Sequence, residues 1–319
     1  MLFLRPEMNV EVKSKGRMRQ VESREGRMPG KTVLRLCFIV AGFLGSGSLL
    51  AQDGWAFIDN GHVRLGVNLK AGACIGWFSR SGSDKNLLNS YDEGRYLQQS
   101  YYGDQDGSDW NGKPWRFNPV QGGSWKGVKA TVLEQKIEKD SIHTKTRPRH
   151  WATGTEVNDM TMEQWLTLDG ELARLRFNMS YTGAKEHKPT HQELPALFVQ
   201  PEYDTLVFCE AGKPAWQNAS LTKQQPGFPN ESVKFSEPWC AWMNDDGQGV
   251  GLYFPHTTEA TCYRFRGGGK SDCSYIAPIQ TFALKPGLMF EYEVVLALGT
   301  AAQMRLAFQK VATGGKAAK

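Results

Sequence analysis

The chain has 319 residues, of which 22% are charged, and its formal net charge is +5. A chain of this length can bury a large core and corresponds to one large all-β domain or to two ordinary domains. The positive balance is mild and part of it falls in the N-terminal segment, so we expect no nucleic-acid partner.

The first 51 residues have the features of a secretory signal behind an N-terminal extension. Basic residues precede the short apolar run Leu36–Leu44, and small residues follow it up to Ala51. A basic start, a short apolar core and a small-residue exit are typical of signal peptides. The run is too short and too rich in glycine to span a bilayer comfortably. We therefore predict a start at Met28, cleavage after Ala51 and export to the periplasm or the exterior, with a retained membrane anchor as the alternative.

From Asp53 onward the sequence alternates apolar and polar residues with the period of β-strands. Asp169-Gly170 is a hairpin turn signal, because both residues tolerate the positive φ that a tight hairpin needs. The segments that alternate most clearly are His62–Leu69, Cys74–Phe78, Ala173–Tyr181, Trp239–Met243, Val250–Phe254 and Phe290–Leu298.

Only one stretch has helical periodicity. In Ala301–Val311 the residues Met304, Ala307 and Phe308 fall on one face. Many short strands, frequent turns and almost no helix predict an all-β fold, a large antiparallel β-sandwich with one short C-terminal helix. We assign residues 52–312 to this single domain and residues 313–319 to a disordered tail.

The strongest catalytic candidates lie in the segment Lys188–Leu197. His191 and Glu193 are two residues apart, and in a strand such positions point to the same face. An imidazole and a carboxylate have ordinary pKa values on either side of neutral pH, so the pair can supply an acid and a base. The alternative is a polar surface loop that ends in an edge containing Pro195.

Aromatic residues are abundant, with ten tryptophans in the chain. Tyrosine and tryptophan offer a flat apolar face and a hydrogen-bond donor, which suits stacking on a sugar ring. Trp110, Trp115 and Trp125 lie among polar residues and glycines, so we predict that they form a binding surface. Filling a wide sandwich core is the alternative for many of the rings.

A second candidate cluster is basic. In an extended segment Lys145, Arg147 and Arg149 face one way and could bind carboxylates or sulfates, although a solvated edge strand is the commoner reason for such a stripe. His150 follows directly and is a candidate base. A lone histidine is more often structural.

No metal site or cofactor is predicted with any strength. Asp104, Asp106 and Asp109 have the spacing of a calcium loop but lack the glutamate that completes it. The five cysteines after residue 52 include no C-x-x-C pair, which makes a zinc knuckle unlikely to form. A Cys262–Cys273 disulfide and buried free thiols both remain open.

The order of these features resembles the galactose-mutarotase-like supersandwich superfamily. The resemblance is carried by Tyr91–Tyr102, Thr190–Leu197, Glu237–Trp242 and Gly249–Tyr253. The superfamily includes aldose 1-epimerases and the β-sandwich domains of several polysaccharide lyases and glycoside hydrolases. It implies a sandwich whose concave face holds a sugar.

The resemblance transfers the catalytic residues only in part. His191 looks like the counterpart of the epimerase histidine that donates a proton to the ring oxygen. The general base of the epimerases is a glutamate on a late strand, and the matching stretch Tyr275–Gln280 contains none. Glu193 or Glu259 would have to take that role.

These observations predict an exported protein that binds an oligo- or polysaccharide and cleaves an acidic polysaccharide by lyase-like acid–base chemistry. The alternatives are a non-catalytic glycan-binding protein, a glycoside hydrolase, and an epimerase with a relocated base. A lyase needs a base, an acid and a group that neutralises the substrate carboxylate. Candidates for these roles are, in that order, His191 or His150, Tyr101 or Tyr102, and Arg95, Arg147 or Arg149.

Overall fold

The structure is a computed structural model that describes residues 53–217 and 219–314. The predicted extension and signal peptide, residues 1–51, lie outside the described residues, as do residues 315–319 of the predicted tail. In the described ranges no helix is both long and apolar enough to cross a membrane.

Strands dominate the described part of the chain, and one helix follows the last of them. The elements are β1 Trp55–Asp59, β2 Val63–Asn68, β3 Cys74–Arg80, β4 Gln98–Ser100, β5 Gln105–Trp110, β6 Lys113–Arg116, β7 Pro119–Val120, β8 Thr131–Ile137, β9 Ser141–Arg147, β10 Arg149–His150, β11 Met160–Asp169, β12 Leu172–Tyr181, β13 Thr190–Val199, β14 Thr205–Glu210, β15 Thr222–Gln224, β16 Glu231–Met243, β17 Gly249–Tyr253, β18 Glu259–Phe265, β19 Cys273–Phe282, β20 Leu288–Gly299 and α1 Ala301–Ala312.

Fifteen of these strands form one large sheet. Its order is β10-β7-β4-β13-β19-β18-β16-β17-β20-β12-β11-β9-β8, and β14 and β15 branch from β16. The strand pairs of the described chain are antiparallel. A three-stranded sheet β1-β2-β3 and the hairpin β5-β6 complete the architecture. The predicted all-β antiparallel sandwich with one C-terminal helix is confirmed.

The inner face of the large sheet packs around the main core. On β12 the predicted alternation holds, because Ala173, Phe177 and Tyr181 are buried while Arg174 is exposed. The turn before β12 is the predicted one, with Gly170 at a φ of 57°. Strands from β1 to β20 contribute to this one apolar cluster.

Helix α1 covers the outer face of one half of the sheet. Thr300 caps the helix in a box with Gln303, in which each backbone N–H donates to the other's side chain. Phe308 is fully buried against the rings of Trp239 and Tyr253. Gly251 lies beneath, and a Cβ there would come within 2.9 Å of the Phe308 ring. The helix can therefore lie close to the sheet only over a residue without a side chain.

The outer face of the other half, formed by β13, β18 and β19, is covered differently. Phe198 and Tyr275 project from this face into a second aromatic cluster. The β5-β6 hairpin lies over it and contributes Trp110 and Trp115, while Trp151 packs against Trp110. This cover is incomplete, and the gap is the candidate site.

Candidate functional site

A cavity of about 760 Å³ opens on the outer face of β13 and β19. Its lining residues come from six parts of the chain, and they are Tyr102, Trp115, Arg116, Pro189, Thr190, His191, Glu193, Pro229, Asn230, Thr261, Ile279 and Thr281.

Strand β13 brings the two predicted catalytic residues to this cavity. His191 is paired with Thr281 and Glu193 with Ile279 in the register of β13 with β19, and these four side chains line the cavity. The prediction that His191 and Glu193 share a face is confirmed, as expected for positions two residues apart. The surface-loop alternative is wrong, because β13 pairs with β4 on one side and with β19 on the other.

Glu193 is held at the bottom of the cavity by hydroxyl groups. The Tyr275 hydroxyl donates to its Oε1 at 2.6 Å, and the side chains of Tyr102 and Ser100 are also hydrogen-bonded to the carboxyl group. Burial raises the pKa of Glu193, and the hydroxyl donors offset part of this rise. The result is a carboxyl group that keeps its proton at higher pH than an ordinary glutamate.

The two phenols beside Glu193 are strongly biased toward their protonated form. Burial raises the pKa of Tyr275 well above its ordinary value, and the negative charge of Glu193 raises it further. The pKa of Tyr102 is raised for the same two reasons, while the nearby Arg116 lowers it. Both phenols therefore keep their protons at neutral pH and can donate hydrogen bonds.

His191 has a different environment from Glu193. Its side chain is exposed at the cavity, whereas Glu193 is only 6% exposed. The pair thus combines an accessible imidazole with a buried, donor-rich carboxyl group. This arrangement can exchange protons with a ligand that enters from solvent.

The walls of the cavity supply a cation and amide and hydroxyl groups. Arg116, on β6, is half-buried, and within the described ranges no carboxylate lies at ion-pair distance from it. Asn230 donates from Nδ2 to the Thr261 hydroxyl at 2.8 Å. Its Oδ1 is buried without a hydrogen-bond partner among the described residues. The cavity therefore presents a positive charge to a polar ligand, and the Asn230 oxygen beside it is a buried acceptor.

Tyr101 is not available as an acid, contrary to one of the predicted assignments. It points to the opposite side of the sheet from Tyr102, is fully buried in the main core, and donates to Gln99 Oε1 at 2.9 Å. Adjacent residues of an extended segment face opposite sides, so only one of the two tyrosines can reach the cavity.

The predicted role of Arg95 is also contradicted by its position. Its side chain has no solvent exposure and forms a buried ion pair with Asp92. Its guanidinium also lies over the Tyr91 ring at 5.3 Å. A polysaccharide in the cavity cannot contact it, so the carboxylate-neutralising role predicted for Arg95 is wrong.

His150 is a structural residue and not a base of this site. Its Nδ1 accepts from the backbone N–H groups of Ala152 and Thr153, so Nε2 carries the proton that is donated to Asp106 at 2.7 Å. The ring is 5% exposed and does not line the cavity. This hydrogen bond ties the β5-β6 hairpin to β10.

The three predicted binding tryptophans have three different positions. Trp115 lines the cavity but is only 5% exposed. Trp110 is buried behind it, with ring centroids 4.8 Å apart. Trp125 is half-buried and donates to the Ala152 carbonyl. The three tryptophans do not form the predicted common binding surface, because Trp115 alone of the three lines the cavity and most of this aromatic area packs the hairpin onto the sheet.

The predicted basic stripe is paired within the protein, away from the cavity. Arg147 and Arg149 both contact Glu156, at 3.7 and 3.1 Å, and Lys145 contacts Glu134 at 3.7 Å. None of the three basic residues lines the cavity. Since their charges are already matched by carboxylates, the stripe has the character of a solvated edge strand.

The three aspartates with calcium-loop spacing have separate partners. Asp104 accepts from the Lys188 N–H, Asp106 binds His150 and Ser108, and Asp109 accepts from the Gly112 N–H. No group of three or more His, Cys, Asp or Glu residues suited to a metal ion occurs in residues 53–217 and 219–314. Five cysteines in these ranges are buried free thiols, including Cys262 and Cys273.

The sequence analysis missed several residues that shape the site. Tyr275 and Thr281 come from β19, Arg116 from β6, Asn230 from the segment before β16, and Thr261 from β18. For Tyr275 and Thr281 the alternation within Cys273–Phe282 was the available signal, since odd-numbered positions there share a face with His191 and Glu193. Arg116 and Asn230 carried no such signal.

Comparison with solved structures finds the same architecture. An Escherichia coli K12 protein assigned as a candidate aldose 1-epimerase superposes with a TM-score of 0.50 over 77% of this chain and 99% of its own, at 14% identity. A galactose mutarotase-like protein from Lactobacillus casei ATCC 334 superposes with a TM-score of 0.50 over 77% of this chain and 100% of its own, at 10% identity. The chain has the galactose-mutarotase-like fold. No protein-family model and no curated protein sequence matches it.

Within this galactose-mutarotase-like fold the carboxylate of the cavity comes from an unexpected strand. The stretch of β19 for which the resemblance implies a glutamate supplies Tyr275, whose hydroxyl reaches across to Glu193 on β13. Glu259, the other candidate, lines a neighbouring cavity and not this one. Of the two glutamates expected to take that role, Glu193 is the one that lines this cavity.

Proposed function

We propose that the protein is an exported carbohydrate-active enzyme that binds an acidic polysaccharide in the cavity of β13 and β19 and cleaves it by lyase-like acid–base chemistry. The observation that supports this most is the pairing of exposed His191 with buried Glu193 in an open cavity that also contains Arg116. Export is part of the proposal and rests on the sequence of residues 1–51.

In the proposed reaction three residues act on a uronate unit. Arg116 binds the substrate carboxylate, which makes the neighbouring C5 proton easier to remove. His191 takes that proton. The electron pair of the broken C5–H bond forms the C4–C5 double bond as the C4–O bond breaks, and the leaving oxygen takes a proton from Tyr102.

Glu193 completes the proton balance of this proposal. It is hydrogen-bonded to the Tyr102 side chain, and burial raises its pKa, so it can return a proton to Tyr102. His191 then releases the C5 proton to solvent, and Glu193 takes a proton from solvent before the next turnover. Tyr275 holds the carboxyl group in position through its 2.6 Å hydrogen bond. The role of Tyr275 is thus positioning.

A hydrolytic mechanism has less support from the same geometry. Glycoside hydrolases use two carboxyl groups on either side of the scissile bond. Among the described residues that line the cavity, Glu193 is the one carboxylate. A non-catalytic glycan-binding protein is the second candidate, and it is favoured by the hydroxyl donors that already occupy the Glu193 carboxyl group.

The test is ultraviolet absorbance of the mature chain, Gln52 to Lys319, incubated with a panel of uronate polysaccharides, because β-elimination creates a conjugated unsaturated uronate. We expect a rising signal on at least one polymer, and a loss of at least about a hundredfold in rate for His191→Ala and for Glu193→Gln. Arg147→Ala, outside the cavity, is the control and should keep the full rate.

Two results would contradict the proposal. A flat trace on every polymer, with binding still detected by calorimetry, would identify a glycan-binding protein. Full activity of His191→Ala would exclude the acid–base pair.

A further inference from the structure

A second cavity of about 680 Å³ adjoins the first at the end of β19. Ile279 and Thr281 line both cavities, so the two are separated only by this segment of β19. The remaining lining residues of the second cavity are His256, Thr257, Thr258, Glu259, Gln280, Phe282, Ala283, Lys285, Leu288 and Phe290.

The ridge between the cavities is low and polar. Thr281 is exposed, and its partner across the β13-β19 ladder is the exposed His191. A ligand chain that lies against His191 in the first cavity can therefore continue past Thr281 into the second without displacing a buried side chain. The two cavities form one groove around the end of β19.

The second cavity combines aromatic faces with charged and polar groups. The rings of Phe282 and Phe290 are half-buried with centroids 4.5 Å apart. Glu259 and the exposed Lys285 lie on its rim and carry opposite charges. An apolar ring face beside convergent polar groups suits a sugar ring, which has an apolar C–H face and hydroxyl edges.

We propose that the second cavity is a further saccharide subsite, so that the ligand is an oligosaccharide or polymer that spans both cavities. This inference rests on the proposed function of the first cavity. It adds that the protein selects ligands long enough to fill both cavities. Phe290 is the stacking residue of this second subsite. Phe290 contributes to binding only for ligands that are long enough to pass Thr281.

The experiment measures kcat/KM of the mature chain on size-fractionated oligouronates, from dimers to octamers, prepared from polygalacturonate, alginate and glucuronan. For the wild type we expect kcat/KM to rise with length until both cavities are filled. In Phe290→Ala the value for long oligomers should fall by about two- to tenfold while that for the shortest oligomers is unchanged, since one aromatic contact contributes about 0.5 to 1.5 kcal/mol and 1.4 kcal/mol is tenfold.

Two further variants make the outcome decisive. Met289→Ala changes the exposed neighbour of Phe290, which does not line the cavity, and should behave as the wild type. Thr258→Trp fills the cavity from its exposed rim without removing a packed side chain and should also abolish the gain with length. Thr258→Trp keeps the test valid if Phe290→Ala folds poorly.

The failures of the two proposals are distinguishable. Turnover that does not depend on length, or a length dependence that survives in both Phe290→Ala and Thr258→Trp, would overturn the second subsite and leave the first cavity as the whole site. No turnover on any oligouronate would instead refute the proposed chemistry on which the inference rests.

Discussion

On the helix side of the large sheet, the outer face of β16, β17 and β20 is covered by α1, whereas the outer face of β13, β18 and β19 is left partly open. The covered face closes around Trp239 and Phe308, and the one buried carboxylate among them, Glu237, is ion-paired with Arg305 of α1. The open face has the same strand type and a similar aromatic content, but its cover is a short hairpin and a few loop residues. The cavity lies in the gap that this hairpin leaves.

The difference shows what turns one face of a sandwich into a site. Both halves of the sheet bury apolar residues on both sides of their strands. The alternation of apolar and polar residues along a strand therefore does not distinguish the two halves. Helix α1 packs directly on the side chains of its face, whereas the hairpin Gln105–Arg116 leaves the cavity open beside it. A carboxylate on the covered face needs a partner, as Glu237 has in Arg305, whereas the open face leaves His191 accessible to solvent.

The largest expected effect on stability comes from opening the covered face. Phe308→Ala removes a fully buried ring from between the helix and the sheet and should lower the free energy of unfolding by about 3 to 5 kcal/mol. His191→Ala, on the open face, should change it by less than about 0.5 kcal/mol, because the side chain is exposed. Denaturant unfolding of both variants measures the contrast. Similar losses of unfolding free energy in Phe308→Ala and His191→Ala would show that the two faces do not differ in packing.

A smaller effect is expected inside the open face from Tyr275→Phe, which removes one hydrogen bond and should cost about 1 kcal/mol. The lost donor favoured the charged form of Glu193, so the pKa of Glu193 should rise further. A carboxyl group with a raised pKa in the folded state stabilises the fold below its unfolded pKa of about 4.3. That stability is lost as the pH rises through the folded pKa.

Carbon-13 NMR titration of the glutamates, with unfolding measured at several pH values, checks this prediction. The decline in stability with rising pH should extend to higher pH in Tyr275→Phe than in the wild type. Glu193→Gln is the matched control, and the decline should be absent in it. An unchanged titration in Tyr275→Phe would mean that the Tyr275 hydroxyl does not control the Glu193 carboxyl group.

The smallest effect is expected at the sheet edge beyond both faces. Arg147→Ala removes a partly exposed ion pair with Glu156 and should cost at most about 1 kcal/mol. It should leave saccharide binding unchanged, as measured by calorimetry. Weaker binding of an acidic saccharide would restore the basic stripe as part of the site and reduce the weight placed on Arg116.

Local patterns predicted much of the fold and the centre of the site. The Asp169-Gly170 turn, the strand Ala173–Tyr181 and the helix face around Phe308 follow from periods of two and 3.6 residues. The joint position of His191 and Glu193 follows from the period of two alone. In each case the determining residues are neighbours in sequence.

The missed residues depend on pairings between distant segments. Tyr275 reaches Glu193 across 82 residues of sequence, through the pairing of β13 with β19. Arg95 was misassigned because its partner Asp92 and its burial are invisible in a polar segment. Trp110 was misassigned because a locally polar hairpin lies against a distant aromatic cluster.

The β5-β6 hairpin allows the wall of the cavity to change in evolution independently of the central strands. It is a two-stranded sheet of its own, fastened to the rest by contacts such as Asp106 with His150. It carries Trp115 and Arg116, while the acid–base pair belongs to β13. An insertion or an exchange of residues within this hairpin can alter the wall of the cavity without shifting the register of the central strands. The lining of the cavity can thus change while His191 and Glu193 keep their positions.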